Sequence, residues 1–191
     1  FNQDISDWNM SAVTNIKEMF RAATAFNQDI GKWNISSANS LHKMFLGASS
    51  FNQDIGDWNT TAVMDMYQVF YGATSFNQYV GNWNVSAVTN MADVFNAATS
   101  FDQDISKWNV SSATNMTNMF QNTPALSDAN KGLIHASFSS NSNWPYDWST
   151  HVASPPVENN PNVSHPTADN NDTNLDNNQT LPYPRGKPDH H

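Results

Sequence analysis

Four aspartates recur at one interval along this chain: Asp4, Asp29, Asp54 and Asp104, with Tyr79 where a further one would fall. Carboxylates held in register could line a row of Ca²⁺ sites, because hard cations take several oxygen ligands. Gln3 and Ser6 and their copies would add oxygens. At ~5 Å two such carboxylates repel by roughly 1 kcal/mol in water and about 3 kcal/mol at an effective dielectric of 20. A backbone N–H, or a Ser or Thr of the same turn, offsets that repulsion without a metal, and Tyr79 interrupts the row. We therefore expect Asp4, Asp29, Asp54 and Asp104 to be turn-forming groups, with binding as the sharper alternative and no metal assigned.

Other chemistry is sparse. Trp8, Trp33, Trp58, Trp83 and Trp108 also recur in register. Stacked aromatics bind sugars, but a constant aromatic position is expected in a core. The copies of Asn9-Met10-Ser11, from Asn34-Ile35-Ser36 to Asn109-Val110-Ser111, fit the N-glycosylation sequon. They are read as turn chemistry. His42 and His135 stand alone, cysteine is absent, and no nucleophile–base set follows from the spacing. No catalytic residue and no cofactor is expected; the chain reads as a non-enzyme. Tyr67 and Tyr71 lie four apart, which would put them on one helix face, and they form a possible contact patch.

The element that must position all of these is a repeat. FNQDISDWN at Phe1–Asn9 returns as FNQDIGKWN at Phe26–Asn34, FNQDIGDWN at Phe51–Asn59, FNQYVGNWN at Phe76–Asn84 and FDQDISKWN at Phe101–Asn109, a step of 25 residues each time. A fixed period of this size signals stacked coils. Within a coil, positions 13, 16, 19–20 and 23 are apolar: Val13, Ile16, Met19, Phe20 and Ala23 in the first. Steps of three, three and four predict a short helix, with Asn15 and Glu18 resembling a capping box. Positions 3 to 6 predict a strand of three or four residues with Ile5 inward. The expected fold is an α/β solenoid, leucine-rich-repeat-like, with one short strand and one short helix per coil. Residues 1–125 make five coils. Residues 126–151 make a helical C-terminal cap, with Leu133, Ile134 and Phe138 on one face. Like side chains would then lie ~4.8 Å apart. Residues 152–191, rich in Asn, Asp and Pro, read as a disordered tail or linker, and His190-His191 as a tag remnant.

Composition excludes several partners. The net charge is −9. Six Lys and Arg before His151 against twelve Asp and Glu leave the repeat region at −6. Without a basic stripe, nucleic acid is not an expected partner. No apolar run is long enough to span a bilayer. The start on Phe1, with no methionine and no charged-then-apolar leader, reads as an excised fragment.

The pattern Phe-x-x-Asp-Ile-Ser, then Trp-Asn-Val-Ser, then Val-Thr-Asn-Met with Met-Phe three residues on, whose parts are seen most clearly at Phe76–Ser100 and Phe101–Ala125, resembles the BspA-like leucine-rich-repeat surface proteins. The related repeats of unknown function in mycoplasma lipoproteins look similar. The resemblance covers Phe1 to about Trp148. It implies an extracellular or cell-surface protein, often linked to adhesion. The resulting expectation is a module that binds protein or glycan at a cell surface through the extended strand-and-turn face. A structural spacer projecting another domain, or a Ca²⁺-binding or ice-binding array, are the alternatives.

Overall fold

The computed structural model describes residues 1–157. The chain divides into two units, Phe1–Ser154 and Pro155–His191. The residues read as a disordered tail and a tag remnant lie, from 158 on, outside the described part. The numbering below takes coil 1 as residues 1–25, coil 2 as 26–50, and so on.

The predicted α/β solenoid is not what forms. Among the described residues there is one α-helix, α1 at Asp128–Phe138, and one 3₁₀ turn at Ser149–His151. Among the described residues no sheet is present, and pairing is limited to the isolated parallel bridges Ser40↔Asp65, Asp65↔Asn90 and Asn90↔Asn115. Neither the short helix nor the short strand predicted for each coil exists.

The reason is visible in coil 2, which is a succession of tight turns. Trp33 N–H bonds Ile30 C=O, Ala38 bonds Ile35, Met44 bonds Leu41, Ala48 bonds Phe45 and Phe51 bonds Ala48, at 2.8–3.2 Å. Each is an i+3 to i bond, the closure of a β-turn. The residues that open and close these turns are the apolar ones, and all of them are buried. The i, i+3 spacing read as a helix face is thus the spacing of turn ends. A helix is further prevented because alternate N–H groups leave the coil. Leu41, Lys43, Phe45 and Gly47 donate to Asp65, Tyr67, Val69 and Tyr71 of coil 3, at 2.7–2.9 Å. Positions 18 and 22 are left-handed in every coil: Glu18, Lys43, Gln68, Asp93 and Asn118, then Ala22, Gly47, Gly72, Ala97 and Asn122. Positive φ at the third residue of a turn is the type II pattern.

Stacking of these coils builds one core. Phe20, Phe45, Phe70, Phe95 and Phe120 form a ladder with ring centroids 5.5–5.6 Å apart. Phe1, Phe26, Phe51, Phe76 and Phe101 form a second at 5.9–6.3 Å. Within the indole row, Trp58, Trp83 and Trp108 stack at 6.2–6.4 Å. None of these reaches the expected strand spacing. The backbone bonds lie along positions 14–22, so the stack is tightest there and opens toward the indoles.

At the far end, α1 starts on Ser127, whose side chain accepts from Asn130 N–H. Ile134 and Phe138 are buried in the same core, whereas Leu133, expected beside them, is exposed. Ser137 Oγ donates to Ser106 C=O and Asn141 Nδ2 to Val110 C=O. Phe120 N–H donates to Tyr146 Oη.

Candidate functional site

The aspartate row is local turn chemistry. Asp4 Oδ1 accepts from Ser6 N–H, Asp29 from Gly31, Asp54 from Gly56 and Asp104 from Ser106, at 2.8–2.9 Å. These are Asx turns, in which the side chain mimics a backbone carbonyl. Hydrogen bonding from Ser6, through its side chain and then its backbone, holds the Asp4 carboxyl below the usual range. Among the described residues no three His, Asp or Glu side chains converge as a metal site would require.

The sequon asparagines do the same: Asn9, Asn34, Asn59, Asn84 and Asn109 each accept from the N–H two residues on. Asn15, Asp65, Asn90 and Asn115 close a further Asx turn in coils 1, 3, 4 and 5, and Ser40 Oγ takes that place in coil 2. The capping role read for Asn15 is replaced by this turn.

Four of the five repeat indoles are core, and Trp8 is exposed. Trp33, Trp58, Trp83 and Trp108 are 2–4% exposed. Each donates its indole N–H to the position-5 carbonyl of the preceding coil, Trp33 to Ile5, Trp58 to Ile30, Trp83 to Ile55 and Trp108 to Val80.

One recurring group was missed from the residue pattern. Asn2 Oδ1 accepts from Asn27 N–H at 2.9 Å and from Gln28 Nε2 at 2.9 Å. Asn27, Asn52 and Asn77 repeat the arrangement toward the following coil. Asp102 takes Ser127 N–H and Asn130 Nδ2 instead. This amide ladder clamps coil to coil in addition to the backbone bonds of positions 14–22. The constancy of Asn-Gln at positions 2 and 3 was its signal.

Tyr67 and Tyr71 are corners of successive turns, Met66–Val69 and Phe70–Ala73, rather than residues of one helix. Both are half-buried. Tyr67 is part of a cluster: its ring lies 5.2 Å from that of His42, and Lys43 Nζ sits 5.7 Å above it. His42 Nδ1 lies 3.2 Å from Asp65 Oδ2. His42 is therefore not alone; position 17 of one coil meets positions 15 and 17 of the next. His135 Nδ1 accepts from Trp144 Nε1 at 3.0 Å, a packing role. The same edge carries Lys17, and Arg21 paired with Glu18 at 2.8 Å. Asp4, Asp29, Asp54 and Asp104 are not brought to this edge's cluster. No described helix is long and apolar enough to cross a membrane.

No curated protein and no solved structure matches this chain. The family described as "Mycoplasma protein of unknown function, DUF285" matches residues 1–68 and, in a second overlapping match, residues 39–145. Constant turn ends, changing outer corners and a two-fold match spanning most of its length go together: the chain belongs to this family, one whose function is unknown.

Proposed function

We propose that the chain is a non-enzymatic binding module that works outside the cell, in the manner of the BspA-like surface proteins whose repeat it resembles. Its partner is a protein or glycan at a cell surface. One observation carries this reading. The turn ends stay constant from coil to coil while positions 17, 18 and 21, on one edge, change: Lys17, Glu18 and Arg21; His42, Lys43 and Leu46; Tyr67, Gln68 and Tyr71; Ala92, Asp93 and Asn96; Thr117, Asn118 and Gln121. Ala92 and Asn96 are buried; the others, which mix tyrosine with three of the six cations preceding His151, offer side chains suited to recognition. Tyrosine and arginine dominate contact energies at such surfaces.

The test is a screen of the full chain against surface proteins and glycans, followed by Tyr67→Ser/Tyr71→Ser and Lys43→Ala in the best binder. Loss of affinity by tenfold or more with an unchanged melting point supports the reading. Affinity unmoved by these changes places recognition elsewhere; no binder across the screen favours the spacer.

A further inference from the structure

Where the cap meets coil 5 the packing of the stack gives way, and a cleft opens. The position-20 rings lie nearly parallel on one another from Phe20 to Phe120, at 3–15°. Phe120 instead meets Trp144, Tyr146 and Trp148 of the cap at 76°, 63° and 57°. Tilted rings touch by their edges and leave space that parallel rings close. A side-chain ladder ends at the same place. Ser49, Thr74 and Thr99 hydroxyls donate to the carbonyls of Thr24, Ser49 and Thr74 at 3.4 Å. The next residue in that column is Pro124, which has no hydroxyl, and Thr99 C=O accepts no hydrogen bond from the described residues. The resulting cleft measures about 500 Å³, within the range of about 300–1,000 Å³ usual for small-ligand sites.

The walls of this cleft are apolar and its polar groups are unspent. Phe120, Pro124, Tyr146 and Trp148 line it. Tyr146 Oη accepts from Phe120 N–H at 2.9 Å, while its own proton goes to no described acceptor. Burial raises the phenol above its ordinary value of 10.0, against the lowering bond from Phe120, so the group is an O–H donor at neutral pH. Lys131 of α1 is half-buried and pairs with no described acid. Its Nζ stands 5.8 Å above the Trp148 ring. The charge of Asp93 is felt at Tyr146, but Asp93 Oδ1 already accepts from Asn96 Nδ2 at 2.8 Å. We propose that this cleft binds a saccharide ring that bears a carboxylate. Lys131 pairs with the carboxylate. Thr99 C=O accepts a sugar hydroxyl, and Tyr146 donates to a sugar oxygen. The C–H face of the ring lies against the aromatic wall. A neutral sugar leaves the ammonium unpaired, and an aromatic acid leaves Thr99 C=O without a donor. None of these residues stands at position 17, 18 or 21, so the proposal does not rest on the recognition edge described above.

The experiment titrates the full chain with glucuronate, with methyl glucoside as the neutral ring and benzoate as the aromatic acid, and follows the amide and indole resonances by NMR. The expected result is saturable movement of the Trp148 indole and the Phe120 and Lys131 amides by glucuronate, at least tenfold tighter than by either comparison compound. Lys131→Met, which keeps the apolar stem, should weaken glucuronate binding at least tenfold with an unchanged melting point. Lys131→Arg should retain most of it, and Tyr67→Ser/Tyr71→Ser should leave it unmoved. No saturable shift at these resonances with millimolar glucuronate overturns the proposal. So does methyl glucoside or benzoate binding as tightly as glucuronate, or affinity unmoved in Lys131→Met.

Discussion

Exchanging alanine and glycine at position 22 separates a turn from a helix by the sign of the effect. Ala22 and Ala97 sit at φ 57° and 58°, and Gly47 and Gly72 occupy the same place at 68° and 67°. A left-handed L-residue costs about 1–2 kcal/mol. The extra freedom of glycine in the unfolded chain returns about 0.4–1 kcal/mol of that. Ala97→Gly should therefore stabilise by about 0.5–1 kcal/mol, and Gly72→Ala should destabilise by a similar amount. No packing term confuses the second change. A Cβ on Gly72 would meet only Gly47 Cα at 3.8 Å and Gly47 N at 3.9 Å, ordinary contact. Urea unfolding reads the result as a shift of midpoint at constant slope, and about 1 kcal/mol moves the melting temperature of a domain this size by roughly 2–4 °C. Ala22→Gly and Ala97→Gly lie three coils apart and should add. A helix at positions 13–23 requires the reverse, because glycine inside a helix costs about 1 kcal/mol relative to alanine. Loss of stability in Ala97→Gly together with a gain in Gly72→Ala would refute the tandem-turn account.

Trp83→Phe removes an indole bond to Ile55 C=O at 2.9 Å from a side chain only 3% exposed; the expected loss is about 2–3 kcal/mol in chemical unfolding. Trp8→Phe, in the half-open end of the same row, should cost less than about 0.5 kcal/mol. Asn52→Ala breaks two bonds of the clamp, to Asn77 N–H and Gln78 Nε2, for an expected loss of about 1 kcal/mol at this partly exposed site. Asn52→Asp, which keeps the acceptor as Asp102 does, should retain most of it. The Asp102 carboxyl is pushed up by burial, but bonds from Ser127 N–H, Asn130 and the Ser127 side chain outweigh this and hold it below its ordinary value of 3.8. A depressed folded pKa stabilises above the unfolded value and is lost as pH falls through the folded one. Asp102→Asn should therefore flatten the acid limb of the stability profile below about pH 4 and leave neutral stability nearly unchanged.

The register was legible because Phe and Trp recur without insertion, and rings in register must either stack or face water. Secondary structure was not, because a spacing of three fits a turn end as well as a helix face. The deciding residues were present. Gly47, Gly72, Asn118 and Asn122 are the types that tolerate positive φ, and they fall two residues after an apolar turn opening. Glu18, Lys43, Gln68 and Ala97 at equivalent places hid that signal, since nothing in their chemistry asks for the left-handed region. The Asx turns could be argued from Asn9 and Ser11 alone, being local. The Asn2–Asn27 clamp and the His42–Asp65 contact could not. Both join residues 23–26 apart, and their partners follow only once the side of each coil that meets the next is known.

The same geometry explains why architecture is readable here while the ligand is not. A turn spends its two end residues on the core, and its two middle residues face outward in most coils, with Ala92 and Asn96 of coil 4 buried. The backbone bonds that hold one coil to the next come from alternate N–H groups whatever side chains they carry; Lys43, Phe45 and Gly47 donate in the same way. Positions 17, 18 and 21 can therefore change from Lys, Glu and Arg to Tyr, Gln and Tyr without altering a coil-to-coil backbone bond. A backbone constraint on them is positive φ at position 18, which selects against β-branched residues, and none of Glu18, Lys43, Gln68, Asp93 and Asn118 is β-branched. A scaffold so indifferent to its outer corners leaves them open to selection by whatever touches them. Two chains of this family with the same turn ends and different residues at 17, 18 and 21 should accordingly melt alike and bind differently.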